Sequence, residues 1–138
     1  MLFRSRGPFW SAWEVTDLGE PLLVVAPVFI LRPTPDILDS GYLAWYLMQS
    51  SAQWYFSTES MGSNVRMITK SVLETLDVAV PPIQLQRRIA EAARLASHEQ
   101  SLVVRVAELR HALNDIRLVG LASEASPHST EQYDRNPR

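Results

Sequence analysis

Apolar residues in the second half of the chain fall on a seven-residue repeat. Leu95, Leu102, Leu109 and Ile116 form one series; Leu85, Ala92, Val106 and Leu113 form a second, offset series with Glu99 in its middle slot. Two interleaved series of this kind are the a and d positions of a coiled-coil helix. Ile89, Ala96 and Val103 widen the stripe along one flank. Pro81-Pro82 suits a helix start, where the missing proline N–H has no intrahelical partner to lose. No proline or glycine follows until Gly120. The pattern predicts one helix over 83–119, too long for a small domain to cover. The stripe Leu95, Leu102, Val106, Leu109, Leu113 and Ile116 is therefore expected to meet a partner helix. Glu99 either leans off axis to solvent or, as a polar residue in the seam, fixes register and partner choice.

The first half has shorter periods. Leu2–Ser5 reads as a strand, Arg6-Gly7-Pro8 as a turn, and Phe9–Val15 as a second strand. Leu22–Leu31, rich in valine, reads as one or two buried strands bent at Pro27. Pro33–Asp36 is a loop with Asp36 a candidate helix cap. Helical spacing follows, with Leu43, Tyr46 and Leu47 on one face, and Ser50-Ser51 marks a break or cap before Ala52–Phe56. Glu59–Asn64 is a polar glycine loop, Val65–Ile68 is extended, Thr69 caps a short helix to Leu76, and Asp77–Val80 is a closing strand. Trp45, Tyr46, Trp54, Tyr55 and Phe56 are expected in the core; of Trp10 and Trp13, one is expected to be exposed. After Gly120 the chain is polar with no apolar period, so 120–138 reads as a disordered tail.

A chain of 138 residues holds one domain. The expected fold is α/β: a small, twisted, mixed or antiparallel sheet with short helices over 1–82, then the long helix 83–119, then the tail. The absence of cysteine excludes disulfides and thiolate metal sites and suits a reducing cytoplasm. No signal-peptide pattern opens the chain, and Leu22–Leu31 is too short to span a bilayer. The sequence lacks a dinucleotide fingerprint, a phosphate loop and a nucleophile elbow. His98, His111 and His128 lie apart, without metal-ligand spacing, and Glu14 with Asp17 reads as a solvated turn. No enzyme, metal or cofactor is expected.

A net charge of −2 argues against an indiscriminate polyanion binder. Residues 1–82 hold five basic side chains against eight acidic ones, whereas 83–119 hold six arginines against four acidic residues. Lys70 is the one lysine among 13 basic residues. Arginine suits bidentate contacts with phosphate and guanine, although a GC-rich genome produces the same bias. Arg4 and Arg6 alternate along Arg4-Ser5-Arg6, so both project to one face of an extended segment. Ser63, Asn64 and Arg66 offer hydroxyl, amide and guanidinium groups beside Gly62, types suited to base edges. Lys70 is placed for a phosphate. Each group also has an ordinary reading, as a solvated strand edge or a polar turn.

These pieces stand in an order that resembles a known family. The run from Leu73 to Ala96, with its Pro-Pro turn and Gln-Arg-Arg-Ile element, resembles the junction between a target recognition domain and a spacer helix in specificity subunits of type I restriction-modification systems. Leu2–Gly7 resembles the family's strand and turn, Tyr42–Phe56 its helical pair, and the run from Met61 its glycine loop and closing strand. The resemblance covers roughly residues 2–117. It implies a non-catalytic, cytoplasmic subunit that recognises double-stranded DNA, docks a methyltransferase subunit, and pairs through its helix with another specificity chain or with a second copy. Complete subunits usually carry two recognition domains and two spacer helices, and several strands precede the part resembling Leu2–Gly7. The expectation here is a partial recognition domain with one helix. The rival expectation is a degenerate interaction module that dimerises through the helix without binding DNA.

Overall fold

Alternation along the first residues sets the inside of the sheet. Phe3 and Ser5 are buried and Arg6 is exposed, as a period of two requires. The structure, a computed structural model, describes residues 1–7, 9–15, 19, 21, 23–60 and 66–124. Strand β1 (Leu2–Arg4) lies between β2 (Ser11–Trp13) and β3 (Val28–Ile30), and both pairings are antiparallel, with Phe3 opposite Ala12 on one side and Phe29 on the other. Phe3 packs against Phe56, ring centroids 5.3 Å apart, and Trp10 meets the same ring at 5.8 Å. Leu43, Leu47, Ala52 and Ile68 complete the buried cluster. Trp10 is buried and Trp13 exposed, so the two tryptophans divide as expected.

The apolar run before β3 does not form the expected buried strand. Leu23 is 86% exposed and Val25 65%. Pairing with β1 stops at Pro27, whose carbonyl accepts the Ser5 N–H at 2.9 Å. There the chain from Arg66 takes over that side of β1: the Ser5 carbonyl accepts the Ile68 N–H at 2.8 Å, and Arg6 bridges Met67. Residues upstream of Pro27 are left with no β1 positions to pair.

Helix α1 (Ser40–Leu47) is capped by Asp39, whose carboxylate accepts the Tyr42 N–H at 2.9 Å. Asp36 does not serve, because its φ of 69° is left-handed and a cap residue is extended. Helix α2 (Ser50–Glu59) buries Ala52 and Phe56, four residues apart. Trp54 lies midway between them in sequence, on the opposite side of the helix, and is 72% exposed rather than in the core. Thr69 caps α3 (Lys70–Glu74) as expected, its hydroxyl accepting the Val72 N–H at 3.3 Å. Residues 77–80 form no strand. Side chains hold them instead: the Tyr42 hydroxyl donates to the Ala79 carbonyl at 2.7 Å and Tyr46 to Asp77 at 3.4 Å. Burial, and then the neighbouring Tyr46, push the Tyr42 phenol above its ordinary pKa, keeping it a neutral donor.

Helix α4 (Ile83–Glu124) runs through Gly120, past the expected end. The Pro82 carbonyl accepts the Gln86 N–H at 3.2 Å in its first turn. The Gln86 side chain is fully buried. Its amide donates to the carbonyls of Ile37 at 2.9 Å and Pro81 at 2.7 Å, and accepts the Asp39 N–H at 2.9 Å. Beside it, a Cβ on Gly41 would stand 3.1 Å from the Ala90 methyl and 3.0 Å from a Glu14 carboxylate oxygen. A side chain at 41 would require these neighbours to give by a few tenths of an ångström, so glycine suits this close approach of α1 and α4. The chain divides into two compact units after Ala96, within α4, so the first turns of the helix belong with the domain. Among the described residues, no helix is long and apolar enough to cross a membrane.

Replacing Gln86 with leucine would keep the volume and strand three backbone groups. We expect a stability loss on the order of 3 kcal/mol, since each buried unsatisfied group costs about 1–3 kcal/mol. Gln84→Leu, at an exposed neighbour, should stay within about 0.5 kcal/mol. Urea denaturation of the two variants checks this, and equal midpoints would disprove the role assigned to Gln86.

Candidate nucleic-acid interface

The two segments singled out for DNA contact are brought together by the backbone. Arg6 bridges Met67, and the Arg66 carbonyl accepts the Gly7 N–H at 3.5 Å. Arg6 and Arg66 are exposed, and neither side chain has a hydrogen bond or ion pair among the described residues. They do not converge, however. Met67 lies opposite Arg6, while Ile68 lies inside with Ser5; alternation puts Arg66 on the Ile68 side of its strand, away from Arg6. Two guanidinium groups so placed make separate contacts rather than one clamp. Ser63 and Asn64 lie outside the described residues.

Arg4 and Ser5 take other roles. Ser5 is buried, and its hydroxyl donates to the Pro27 carbonyl at 2.9 Å, so it belongs to the fold and not to a DNA-contacting surface. Arg4 shares the outward face with Arg6, but its guanidinium turns back on the chain. Nη2 donates to the Phe9 carbonyl at 3.1 Å and to the Ser11 hydroxyl at 3.2 Å, and a Cβ on Gly7 would lie 3.9 Å from its Cζ. Nε is buried without a hydrogen-bond partner among the described residues. Arg4 therefore braces the turn that presents Arg6. The sequence shows the alternation of the two arginines; it does not show that one finds acceptors five and seven residues on.

Lys70, in the first turn of α3, pairs with Glu74 at 3.3 Å, with both side chains mostly exposed. Such a surface pair is weak and leaves the ammonium able to meet a phosphate. Arg32, absent from the expected contacts, shares with Lys70 the lining of a cleft of about 370 Å³ between β3, α1 and α3. Their distance in sequence gives no local signal of that meeting. Among the described residues, no group of three histidines, aspartates or glutamates is placed to hold a metal ion.

The seam residues of α4 are open. Leu95, Leu102, Val106, Leu109, Leu113 and Ile116 are between 46% and 70% exposed. Leu95 follows the buried Gln86 by nine residues, which at 100° per residue puts it on the opposite side of the helix. Leu95 therefore does not belong to the face that packs on the domain. Charges along the helix are engaged locally: Arg94 binds Glu91 through two bonds of 2.6 and 2.9 Å, lowering the Glu91 pKa, and Arg105 pairs with Glu108 at 3.2 Å.

Family models, curated proteins and solved structures give no match to this chain.

The different fates of neighbouring residues are measurable. Ser5→Ala should cost about 1 kcal/mol by removing a buried side-chain hydrogen bond, while the Pro27 carbonyl keeps the Ser5 N–H. Arg6→Ala and Arg66→Ala, at exposed positions, should each leave stability within about 0.5 kcal/mol. Thermal melts of the three variants check this; a destabilised Arg6→Ala with an unaffected Ser5→Ala would reverse the assignment.

Proposed function

We propose that this chain is a non-catalytic DNA-recognition module of the type I restriction-modification specificity class, acting in the cytoplasm and pairing through α4. The observation that carries this reading is the bridge joining Arg6-Gly7 to Arg66-Met67, adjacent segments whose two arginine side chains have no partner among the described residues. Arg66 is the base-reading candidate, with Asn64 and Ser63 beside it in sequence. Arg6 is the phosphate candidate, with Lys70 as a second. The order of motifs along the chain supports the same class. In this reading a methyltransferase subunit supplies the chemistry, and the α4 seam receives another specificity chain or a second copy of this one.

A second reading is favoured by a specific observation. Arg4 and Ser5 are drawn into the fold, and residues 1–82 carry more acid than base. A module that pairs through α4 and leaves DNA alone fits both facts. The two readings differ in a gel-shift assay run with a methyltransferase subunit present.

If Arg66 reads a base, Arg66→Ala should cost about 1–3 kcal/mol and relax preference at one position. If Arg6 meets a phosphate, Arg6→Ala should weaken all sequences alike and flatten the salt dependence by about one unit of slope. Because the two side chains lie on different sides of the bridge, their effects should add. Arg105→Ala and Arg110→Ala are the controls. Binding lost at these controls and kept at Arg6 and Arg66 would move recognition to the helix, and no binding at all would favour the second reading.

Pairing through α4 is tested separately. Leu102→Asp with Leu109→Asp would bury unpaired charge in the seam, costing several kcal/mol. Sedimentation should show the wild type associated and the double variant monomeric. A wild-type chain that stays monomeric at high micromolar concentration, alone and with its candidate partners, would rule out the pairing.

A further inference from the structure

The free edge of β3 has a definite hydrogen-bonding pattern. Met1 and Leu31 exchange two bonds of 3.0 Å, and the Ser5 N–H reaches the Pro27 carbonyl at 2.9 Å. Bonding residues alternate along an antiparallel ladder. Pro27, Phe29 and Leu31 therefore turn their backbone groups toward β1, while Val28, Ile30 and Arg32 turn theirs outward. The Val28 N–H is taken by the Val25 carbonyl at 3.2 Å. The backbone groups of Ile30 and Arg32 have no partner among the described residues, and both residues are exposed. A row of unpaired N–H and C=O groups is a template for an added strand.

Two further features sit at that edge. The cleft of about 370 Å³ opens beside it, floored by Leu38, Leu43, Leu47, Leu73 and Val78. Arg32 stands at the same place with no ion pair among the described residues. Phe29 and Leu31 are half-buried, while Ile30 and Arg32 alternate with them on the outer face. An added strand would meet an apolar cleft whose lining also includes Arg32 and the paired Lys70 and Glu74.

We propose that the outer edge of β3 and the adjoining cleft bind an extended peptide segment of a partner protein, in which apolar residues alternate with carboxylates. The outward backbone groups of Ile30 and Arg32 pair with the peptide main chain. One apolar side chain enters the cleft, and a neighbouring carboxylate meets Arg32 across the strands. Pro27 and Pro33 bound the edge, so the segment it holds is short, about five residues. The row of amide donors and acceptors selects a polypeptide over a simple amphiphile, and the uncompensated arginine selects an acidic one. This site is independent of the DNA-contact reading and of the α4 seam.

The test uses the full chain and a fluorescein-labelled peptide, acetyl-Leu-Glu-Leu-Glu-Leu-amide. Binding should raise its anisotropy and slow hydrogen exchange at the Ile30 and Arg32 amides. Arg32→Glu should weaken it by about tenfold or more. The same peptide N-methylated at its central leucine and at both glutamates, which keeps the side chains and removes the main-chain donors that face β3 in either strand direction, should bind far more weakly, as should the version with lysine in place of glutamate. Absence of binding, equal binding of the N-methylated peptide, or indifference to Arg32→Glu would each overturn the proposal. Protection of the Ile30 and Arg32 amides that grows with protein concentration and without peptide would overturn it as well, by showing that a second copy covers the edge.

Discussion

The geometry of the domain depends on the buried amide of Gln86. Its oxygen takes the Asp39 N–H and its nitrogen gives two bonds to the carbonyls of Ile37 and Pro81. Asp39 in turn caps α1 by accepting the Tyr42 N–H, and the Tyr42 hydroxyl reaches Ala79, just before the helix that carries Gln86. The bonds close a circuit from α4 through α1 and back to the segment leading into α4. Apolar contact alone would leave the helix free to rotate by fractions of a turn, because dispersion has little direction. Three hydrogen bonds to fixed backbone groups permit one rotation. Gly41 allows that rotation by letting α1 come within touching distance of Ala90. With Gln86 turned inward, Leu95 is turned outward.

Some of this is legible in the sequence because it depends on local spacing. The Thr69 cap, the inward pair Leu43 and Leu47, and the long helix each need only neighbours within a few turns, and the fold follows them. Gln86 stands in the sequence in plain view, yet little local distinguishes it from the exposed Gln84 two residues earlier; two of its three partners lie 47 and 49 residues away. Leu23 and Val25 mislead for a related reason. Their β propensity is real, but a strand needs a free partner, and the chain from Arg66 occupies the place.

The candidate DNA-contacting residues divide in the same way. Alternation places Arg4 and Arg6 on one face, which is as far as a local rule goes. Whether a guanidinium meets solvent or a carbonyl depends on the turn that follows, and the turn through Gly7 returns Phe9 and Ser11 to Arg4. An arginine whose Nη2 holds two acceptors and whose Nε is buried serves first as a brace. What remains is a sparser basic surface, in which Arg6 and Arg66 lie on opposite sides of one bridge. Sparse contacts of that kind can support selective binding but add little nonspecific attraction, consistent with the acidic balance of 1–82.

The part of α4 beyond Ala96 poses a different energetic problem. Every described residue from Ser97 to Glu124 is exposed, so among these described residues no buried contact offsets the entropy of ordering the helix. Local support comes from pairs such as Arg105 with Glu108 and His111 with Asp115, each worth about 0.2–0.5 kcal/mol. Ala107, Ala112 and the several leucines favour the helix, while Val103, Val104, Val106 and Val119 oppose it slightly through their stiff χ1 angles. Most helical stability in proteins comes from covering an apolar face. The exposed leucines are the groups able to supply it. Covering them and completing the helix are thus coupled: any partner that covered these leucines would stabilise the segment it bound.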